Sequence, residues 1–92
     1  MIRSFHCVDT ERLFSGTCPR KFRSFRAQAE RKLIMLHSAE TIAFLNSPPG
    51  NRLEKLSGDR QGSWSIRINE RWRLCFTFRD GDAYDVEIVD YH

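Results

Sequence analysis

The last third of the chain combines arginines with groups that can transfer protons. Arg67, Arg71 and Arg73 precede a closing Asp90-Tyr91-His92 sequence. Guanidinium groups neutralise phosphate charge through paired donors, whereas carboxylate, phenol and imidazole groups can move protons. The combination is suited to binding a phosphodiester and to cleaving RNA.

RNA can be cleaved without a metal when its own 2′-hydroxyl attacks the adjacent phosphate. Such a site must hold the attacking geometry, neutralise charge on the phosphoryl oxygens, and supply a base and an acid. Arg67 and Arg73 are the candidates for charge stabilisation, and His92 and Asp90 for proton transfer. Tyr91 is placed to stack on a base or to donate its hydroxyl. The alternative reading of the arginines is an ordinary solvated sheet face.

The composition indicates one globular domain with a mild positive charge. The 92 residues are 40% hydrophobic and 29% charged, with a formal net charge of +3, which is typical of a folded chain with one core. Twelve of the fifteen basic residues are arginine; the others are Lys21, Lys32 and Lys55. Arginine binds phosphate through a planar fork and stacks on bases, so this bias favours an RNA surface. Codon bias in a GC-rich genome is the competing explanation.

Cysteine and histidine spacing favours neither disulfides nor a metal site. Cys7, Cys18 and Cys75 are odd in number and show no CxxC spacing, which is typical of reduced thiols. His6 and His37 do not complete a ligand pattern with the cysteines, so we expect no metal and no cofactor. The absence of a long apolar run or a signal-peptide core predicts a soluble, cytoplasmic protein with no membrane partner.

Helical patterns dominate the first half of the chain. A short strand is expected at 2–5, followed by a short helix capped by Asp9 and ended by Gly16. A longer helix is predicted from apolar residues at steps of three and four, namely Phe22, Phe25, Ala29, Leu33 and Leu36. A further helical turn is expected at 41–45.

Strand patterns dominate the second half, after a break at Pro48-Pro49-Gly50. A strand is expected at 52–56, and three segments of period-two alternation then predict an antiparallel meander within residues 63–89. Neither half is long enough for its own core, so residues 1–92 are expected to form a single α+β domain. Its helices should pack on an antiparallel sheet whose C-terminal part is the meander.

Side-chain parity predicts the register of the meander. If Ile68 and Trp72 share the core face, an odd loop of residues 69–71 sets Arg67 opposite Arg73 on the other face. Two facing cations are unfavourable unless a negative group lies between them.

The same argument makes residues 80–82 a three-residue loop with Gly81 able to take positive φ. It pairs Phe78 with Tyr84, Leu74 with Ile88, and Arg73 with Val89. The Asp90-Tyr91-His92 tail should then lie beside the Arg67/Arg73 end of the sheet.

These motifs, taken in order, resemble the HigB toxins of the RelE superfamily. The matching residues are Leu56-x-Gly58-Asp59-Arg60-x-Gly62-x-Trp64-Ser65-Ile66, Trp72-Arg73-Leu74-x-Phe76, Asp82-Ala83-Tyr84 and Asp90-Tyr91-His92. The resemblance covers nearly the whole chain and implies a small α+β domain with helices on an antiparallel sheet.

The resemblance implies a toxin of a type II toxin–antitoxin system that arrests growth. Such a toxin is a ribosome-dependent mRNA endoribonuclease (an mRNA interferase and hydrolase) that inhibits translation in the ribosomal A site. By motif match, Arg73, Asp90, Tyr91 and His92 take the catalytic roles. The implied partner is a HigA-like antitoxin with a helix-turn-helix domain, through which alone the toxin would contact operator DNA.

Two positions depart from the family pattern. A lysine before Gly58-Asp59 in related toxins is Ser57 here, and a histidine is Glu54. Lys55 and Arg60 are the candidates to replace the missing basic group, and with Arg67 and Arg71 they form the expected phosphate-binding set. The departures leave a second reading open, a non-catalytic RNA- or antitoxin-binding module that keeps the fold.

Overall fold

The computed structural model describes residues 1–56 and 62–90 of the chain. Two α-helices, α1 (Val8–Phe14) and α2 (Arg26–Ser38), pack on one face of a four-stranded antiparallel sheet. Three short 3-10 helices occupy Arg20–Phe25, Ala43–Asn46 and Pro49–Asn51. The sheet order is β1 (Glu54–Lys55), β2 (Ser63–Arg67), β3 (Trp72–Arg79) and β4 (Asp82–Asp90). The predicted α+β architecture is therefore confirmed.

The helix α1 begins one residue before its predicted cap and ends where the sequence predicts. Cys7, not Asp9, is the N-cap, and no side chain caps the helix. Asp9 lies in the first turn, where its carboxylate contacts Lys21 Nζ at 3.0 Å. Gly16, with φ +106°, lets the chain reverse, because a left-handed residue after a helix satisfies its last carbonyls.

The second predicted helix is divided into a 3-10 segment and α2. Ala29, Leu33 and Leu36 of α2 are fully buried, which is the i, i+4, i+7 stripe of a helix lying on a sheet. Phe22 and Phe25 lie in the preceding 3-10 segment, where both rings contact Trp72 of β3. The core thus lies between α2 and the helix-side face of the sheet.

The two strands predicted at residues 2–5 and 52–56 are shorter than expected. Residues 2–5 form only isolated parallel bridges, Ile2 with Ala83 and Phe5 with Val86. The strand predicted at 52–56 is reduced to Glu54–Lys55, because Arg52 takes a left-handed conformation that breaks the extended run. The helical turn predicted at 41–45 is a 3-10 helix, Ala43–Asn46.

The hairpin between β3 and β4 has a two-residue turn. Asp80 and Gly81 both have positive φ, 52° and 81°, as a tight hairpin turn requires. Phe78 pairs with Ala83, and Thr77 pairs with Tyr84. The predicted three-residue loop and the Phe78–Tyr84 pair are therefore wrong. Tyr84 leaves the core side, and the Arg79 guanidinium lies 3.9 Å from its ring centroid.

A β-bulge restores the predicted register farther along the same pair of strands. The register shifts between Cys75 and Thr77, so that Phe76 faces two residues of β4, and Asp85 within the bulge has φ 53°. The extra residue compensates for the shorter turn. Beyond the bulge, the pairs follow the prediction, namely Leu74 with Ile88 and Arg73 with Val89, and β2 pairs Arg67 with Arg73.

Candidate functional site

The face of the sheet opposite the helices carries a cluster of polar side chains from three strands. The register pairs Glu54 with Ser65, Ser65 with Cys75, and Arg67 with Arg73. Cross-strand partners point to the same side of a sheet. Alternation therefore places two guanidinium groups, a carboxylate and a hydroxyl on one surface.

Arg73 is the buried charged residue of this cluster, with 8% of its surface exposed. Its Nε donates to Ser65 Oγ at 2.9 Å, and its Nη2 donates to the Arg52 carbonyl at 2.6 Å and the Ser65 carbonyl at 3.3 Å. Its Nη1 lies 3.9 Å from Glu54 Oε1. A buried charge requires such partners, and together they fix the guanidinium plane.

An open cleft of ≈ 370 Å³ lies over this guanidinium. Its lining residues are all polar or charged, namely Arg52, Glu54, Arg67, Asn69, Glu70 and Arg73. Three guanidinium groups and two carboxylates give the lining a formal excess of one positive charge. Arginine forks bind phosphate oxygens in pairs, so the cleft has the chemistry of a phosphate-binding surface.

The Glu54 carboxylate reduces the electrostatic repulsion between the two facing arginines. Arg67 and Arg73 are directly paired across β2 and β3, which is unfavourable for like charges. The carboxylate of Glu54 lies beside Arg73 and lines the same cleft. It places a negative charge beside Arg73, which offsets part of this repulsion.

Asp90 lies at the same end of the sheet but on its other face. It pairs with Trp72, whereas Val89 pairs with Arg73, so alternation directs Asp90 toward the helix side. Its two carboxylate oxygens each lie 2.9 Å from Arg71 Nε, and Arg71 Nη2 approaches at 2.8 Å. This hydrogen bond, followed by the charge of Asp90, raises the pKa of Arg71.

The other predicted site residues divide into two groups. Lys55 pairs with Trp64 and so lies on the face opposite Arg73, with its Nζ 6.0 Å from the Trp64 ring. Arg60, Tyr91 and His92 lie outside the described residues, as does Ser57. The structure thus brings Arg67 and Arg73 together and directs Asp90, Arg71 and Lys55 away from them.

Sequence reasoning missed two members of the cluster, Ser65 and Glu54, and the turn residue Arg52 that lines the cleft. Ser65 could have been predicted, because it alternates with Arg67 and its cross-strand partner is two residues from Arg73. Glu54 stands out in the sequence only as a departure from a family pattern. Arg52 carried no signal, because its role depends on a left-handed backbone that its sequence neighbours do not require.

Residues 1–56 and 62–90 contain neither a cluster of metal-ligand side chains nor a membrane-spanning helix. Within these residues, no group of three His, Cys, Asp or Glu side chains is placed to hold a metal ion. Among the helices of the same residues, none has the length and apolar character needed to cross a bilayer.

Solved structures share this fold at low sequence identity. YafQ from E. coli strain BL21(DE3) superimposes with a TM-score of 0.71 at 12% identity, over 98% of this chain and 91% of that one. The YoeB–YefM complex from Staphylococcus aureus gives 0.61 at 19% identity, over 100% of this chain and 98% of that one. Identities this low establish the fold alone.

Sequence comparisons identify the family. Endoribonuclease HigB of Proteus vulgaris is 49% identical over 41 residues, 45% of each protein. Toxin HigB-1 of Vibrio cholerae serotype O1 is 47% identical over 53 residues, 58% of this chain and 56% of that toxin. The chain thus matches about half the length of these curated relatives. The sequence model of the family of RelE-like HigB toxins matches residues 6–92, and the chain therefore belongs to this family of toxins from type II toxin–antitoxin systems.

Proposed function

We propose that this toxin is an endoribonuclease that cleaves mRNA on the ribosome and so inhibits translation. The observation that carries the proposal is the cleft in which Arg52, Arg67 and Arg73 converge, with Arg73 fixed by hydrogen bonds. The name of the Proteus vulgaris relative, an endoribonuclease, supports the same activity. The site of action would be the cytoplasm, where translated mRNA is found.

The chemistry that suits this cleft is attack by the RNA 2′-hydroxyl. A bond forms between O2′ and phosphorus while the bond from phosphorus to O5′ breaks, and no metal is required. Arg73 and Arg67 would stabilise the charge that develops on the phosphoryl oxygens. His92 and Asp90 would accept and donate the two protons, and Tyr91 would stack on a base, as the family motif implies. Arg71, Lys55 and Arg60 would contact flanking phosphates.

The described residues of the cleft supply charge but little that would select or orient a nucleotide, and the proposed stacking on Tyr91 would hold a single base. The described lining residues include no aromatic side chain, and aromatic platforms are the usual means of holding single-stranded bases. A ribosome that already holds the message in position would supply this missing orientation. Cleavage is therefore proposed to depend on the ribosomal A site.

A type II system implies an antitoxin that binds this chain. The YoeB–YefM neighbour is itself a complex. We assign this toxin a HigA-like antitoxin whose helix-turn-helix domain would contact operator DNA on behalf of both proteins. Copurification of the chain with the product of an adjacent gene would test this assignment, and a toxin that copurifies with no such product would contradict it.

A reconstituted translation reaction tests the activity itself. We expect the purified toxin to cut a defined mRNA when translating ribosomes are present, with 5′ ends mapping in frame. Omission of ribosomes should reduce cutting by at least about 100-fold, because positioning supplies a large part of such catalysis. Equal cutting of naked mRNA would contradict ribosome dependence, and no cutting in either reaction would contradict the nuclease.

One observation favours a second function, binding without catalysis. Asp90 lies on the face away from Arg73 and is engaged by Arg71, so one proton-transfer candidate is not directed at the arginine cleft. A module of this kind would arrest growth by occupying RNA or the antitoxin. Arrest that persists in an Arg73→Ala/His92→Gln double variant, with intact mRNA, would establish it.

Removal of the Glu54 carboxylate from the cleft should strengthen RNA binding. Glu54→Gln deletes a negative charge 3.9 Å from Arg73 Nη1 while keeping the side-chain shape. We expect affinity for an uncleavable 2′-O-methyl RNA to rise about two- to tenfold at low salt, and the gain to fade as salt screens it. Fluorescence anisotropy measures this.

The matched control is Glu11→Gln, the same charge change at an exposed position of α1. It should raise affinity much less, because α1 lies on the helical side of the sheet. Equal gains in the two variants would show that only net charge matters. Weaker binding by Glu54→Gln would mean that Glu54 is needed to hold Arg73 in place.

A further inference from the structure

Asn51 anchors the turn that enters the sheet. It is a fully buried polar residue whose Nδ2 donates to the carbonyls of Leu45 at 3.0 Å and Ser47 at 3.4 Å, and contacts Met35 Sδ at 3.0 Å. Its Oδ1 accepts from Lys32 Nζ of α2. Partial burial, and then the charge of Arg31, lower the pKa of Lys32. The 3-10 turn Pro49–Asn51 is thereby tied to α2.

The residue after this anchor has an unusual backbone. Arg52 adopts φ 44° and ψ 57°, and its N–H donates to the Pro49 carbonyl at 3.1 Å. Residues with a Cβ rarely occupy this left-handed region, and where one does the surrounding structure must enforce it. The buried contacts of Asn51 supply that enforcement.

The left-handed backbone directs the Arg52 carbonyl at Arg73. The carbonyl accepts from Arg73 Nη2 at 2.6 Å, while Ser65 Oγ accepts from Arg73 Nε at 2.9 Å. Two edges of the guanidinium are thus held by β2 and by the turn. Nη1 lies 3.9 Å from Glu54 Oε1, on the side of the cleft.

We propose that Arg52, held left-handed by the buried Asn51, is a positioning residue that sets the orientation of Arg73 toward the RNA phosphate. The role belongs to the backbone carbonyl of Arg52 and is separable from its guanidinium, which lines the cleft. The inference rests on the proposed nuclease function for its catalytic consequence. The positioning itself is a property of the fold.

A graded substitution series at position 52 separates the two roles. Arg52→Gly, Arg52→Asn, Arg52→Ala and Arg52→Val all remove the guanidinium, so they should share a raised KM. They differ in tolerance for positive φ, which glycine and asparagine accept, alanine tolerates about as well as the wild-type arginine because both have an unbranched Cβ, and β-branched valine opposes strongly. Single-turnover cleavage in the ribosome reaction should therefore place Gly, Asn and Ala close together and Val well below them.

The expected spread is large enough to measure. Gly and Asn should lie within about threefold of each other, and Val at least about tenfold below Gly, since small displacements of a catalytic group are costly. Equal rate constants for the Ala and Val variants, both shown to be folded by thermal unfolding, would overturn the inference. If the Val variant does not fold, the equally β-branched Arg52→Thr replaces it in this comparison.

A spectroscopic readout tests the positioning without any reliance on activity. The Arg73 Nε–H resonance reports the hydrogen bond to Ser65 Oγ. Its solvent exchange should match wild type in the Gly, Asn and Ala variants and accelerate at least about tenfold in the Val variant as the guanidinium loosens. Unchanged exchange in a folded Val variant would refute positioning by Arg52. If the wild type cleaves no RNA, the nuclease proposal fails, yet this measurement still decides the role of Arg52.

Discussion

Arg73→Ala is expected to lower the rate of RNA cleavage by about 100- to 1,000-fold, the usual cost of losing one preorganised donor to a transition-state oxyanion. The physical reason is that Arg73 presents a guanidinium already fixed by Ser65 and by the Arg52 carbonyl. No reorganisation is needed when charge develops on the phosphate. Cleavage of a defined mRNA by translating ribosomes, followed by primer extension, measures the loss.

Two further variants make this result specific. Arg73→Lys keeps the charge but loses the fork that reaches Ser65 and Arg52 together, so it should recover less than about a tenth of the lost activity. Arg67→Ala removes the cross-strand partner, which is more exposed than Arg73, and should cost less than Arg73→Ala. Full activity in Arg73→Ala would contradict the proposal that the arginine cleft stabilises the reacting phosphate.

Arg73→Ala also leaves buried acceptors without this donor. We expect the free energy of unfolding to fall by about 1–3 kcal/mol, the cost of unsatisfied buried groups. Cleavage is therefore compared well below the thermal midpoint of the variant. A loss of activity that follows the unfolded fraction, with no loss in the folded population, would assign Arg73 to stability alone.

Leu33→Ala is expected to destabilise the fold by about 2–5 kcal/mol, the range for truncating a large aliphatic side chain in a core. Leu33 is fully buried on α2 within the cluster that joins the helices to the sheet. For a domain of this size, each kcal/mol lowers the thermal midpoint by roughly 4–8 °C. Circular dichroism on heating measures the shift.

The adjacent residue of α2 provides the matched control. Ile34 is 61% exposed, so Ile34→Ala removes comparable apolar volume from the surface and should change stability by no more than about 0.5 kcal/mol. Alanine is also the better helix former of the two residues. Equal destabilisation by the two substitutions would mean that α2 is rotated from the face described here.

Side-chain parity explains why much of the sheet was predictable. The alternation of apolar residues placed Ile68 and Trp72 on one face, and this alone set Arg67 opposite Arg73, as observed. The predicted Arg73–Val89 pair of β3 and β4 is also observed, although the turn that precedes it differs from the prediction. A two-residue turn and a bulge replaced the expected three-residue loop, and the two changes cancel.

Asp90 does not lie on the face of the sheet that carries Arg73. The predicted pairing of Arg73 with Val89 already implies that the next residue points to the other face of the sheet. Closeness to Val89 in the chain therefore does not bring the Asp90 carboxylate to the cleft. The structure pairs Asp90 with Arg71 on the helix side, so its role at the cleft stays a proposal, as do those of Tyr91 and His92.

Local patterns in the amino-acid sequence were sufficient to predict the α+β class, the meander and the shared face of the two arginines, because period-two and period-3.6 patterns are local properties of the chain. The conformation of Arg52 and the fixed orientation of Arg73 emerge from tertiary contacts. Those features depend on Asn51 reaching Lys32 and Met35 of α2, residues distant from it in sequence. A left-handed backbone conformation that such contacts enforce has no periodic signal in the amino-acid sequence.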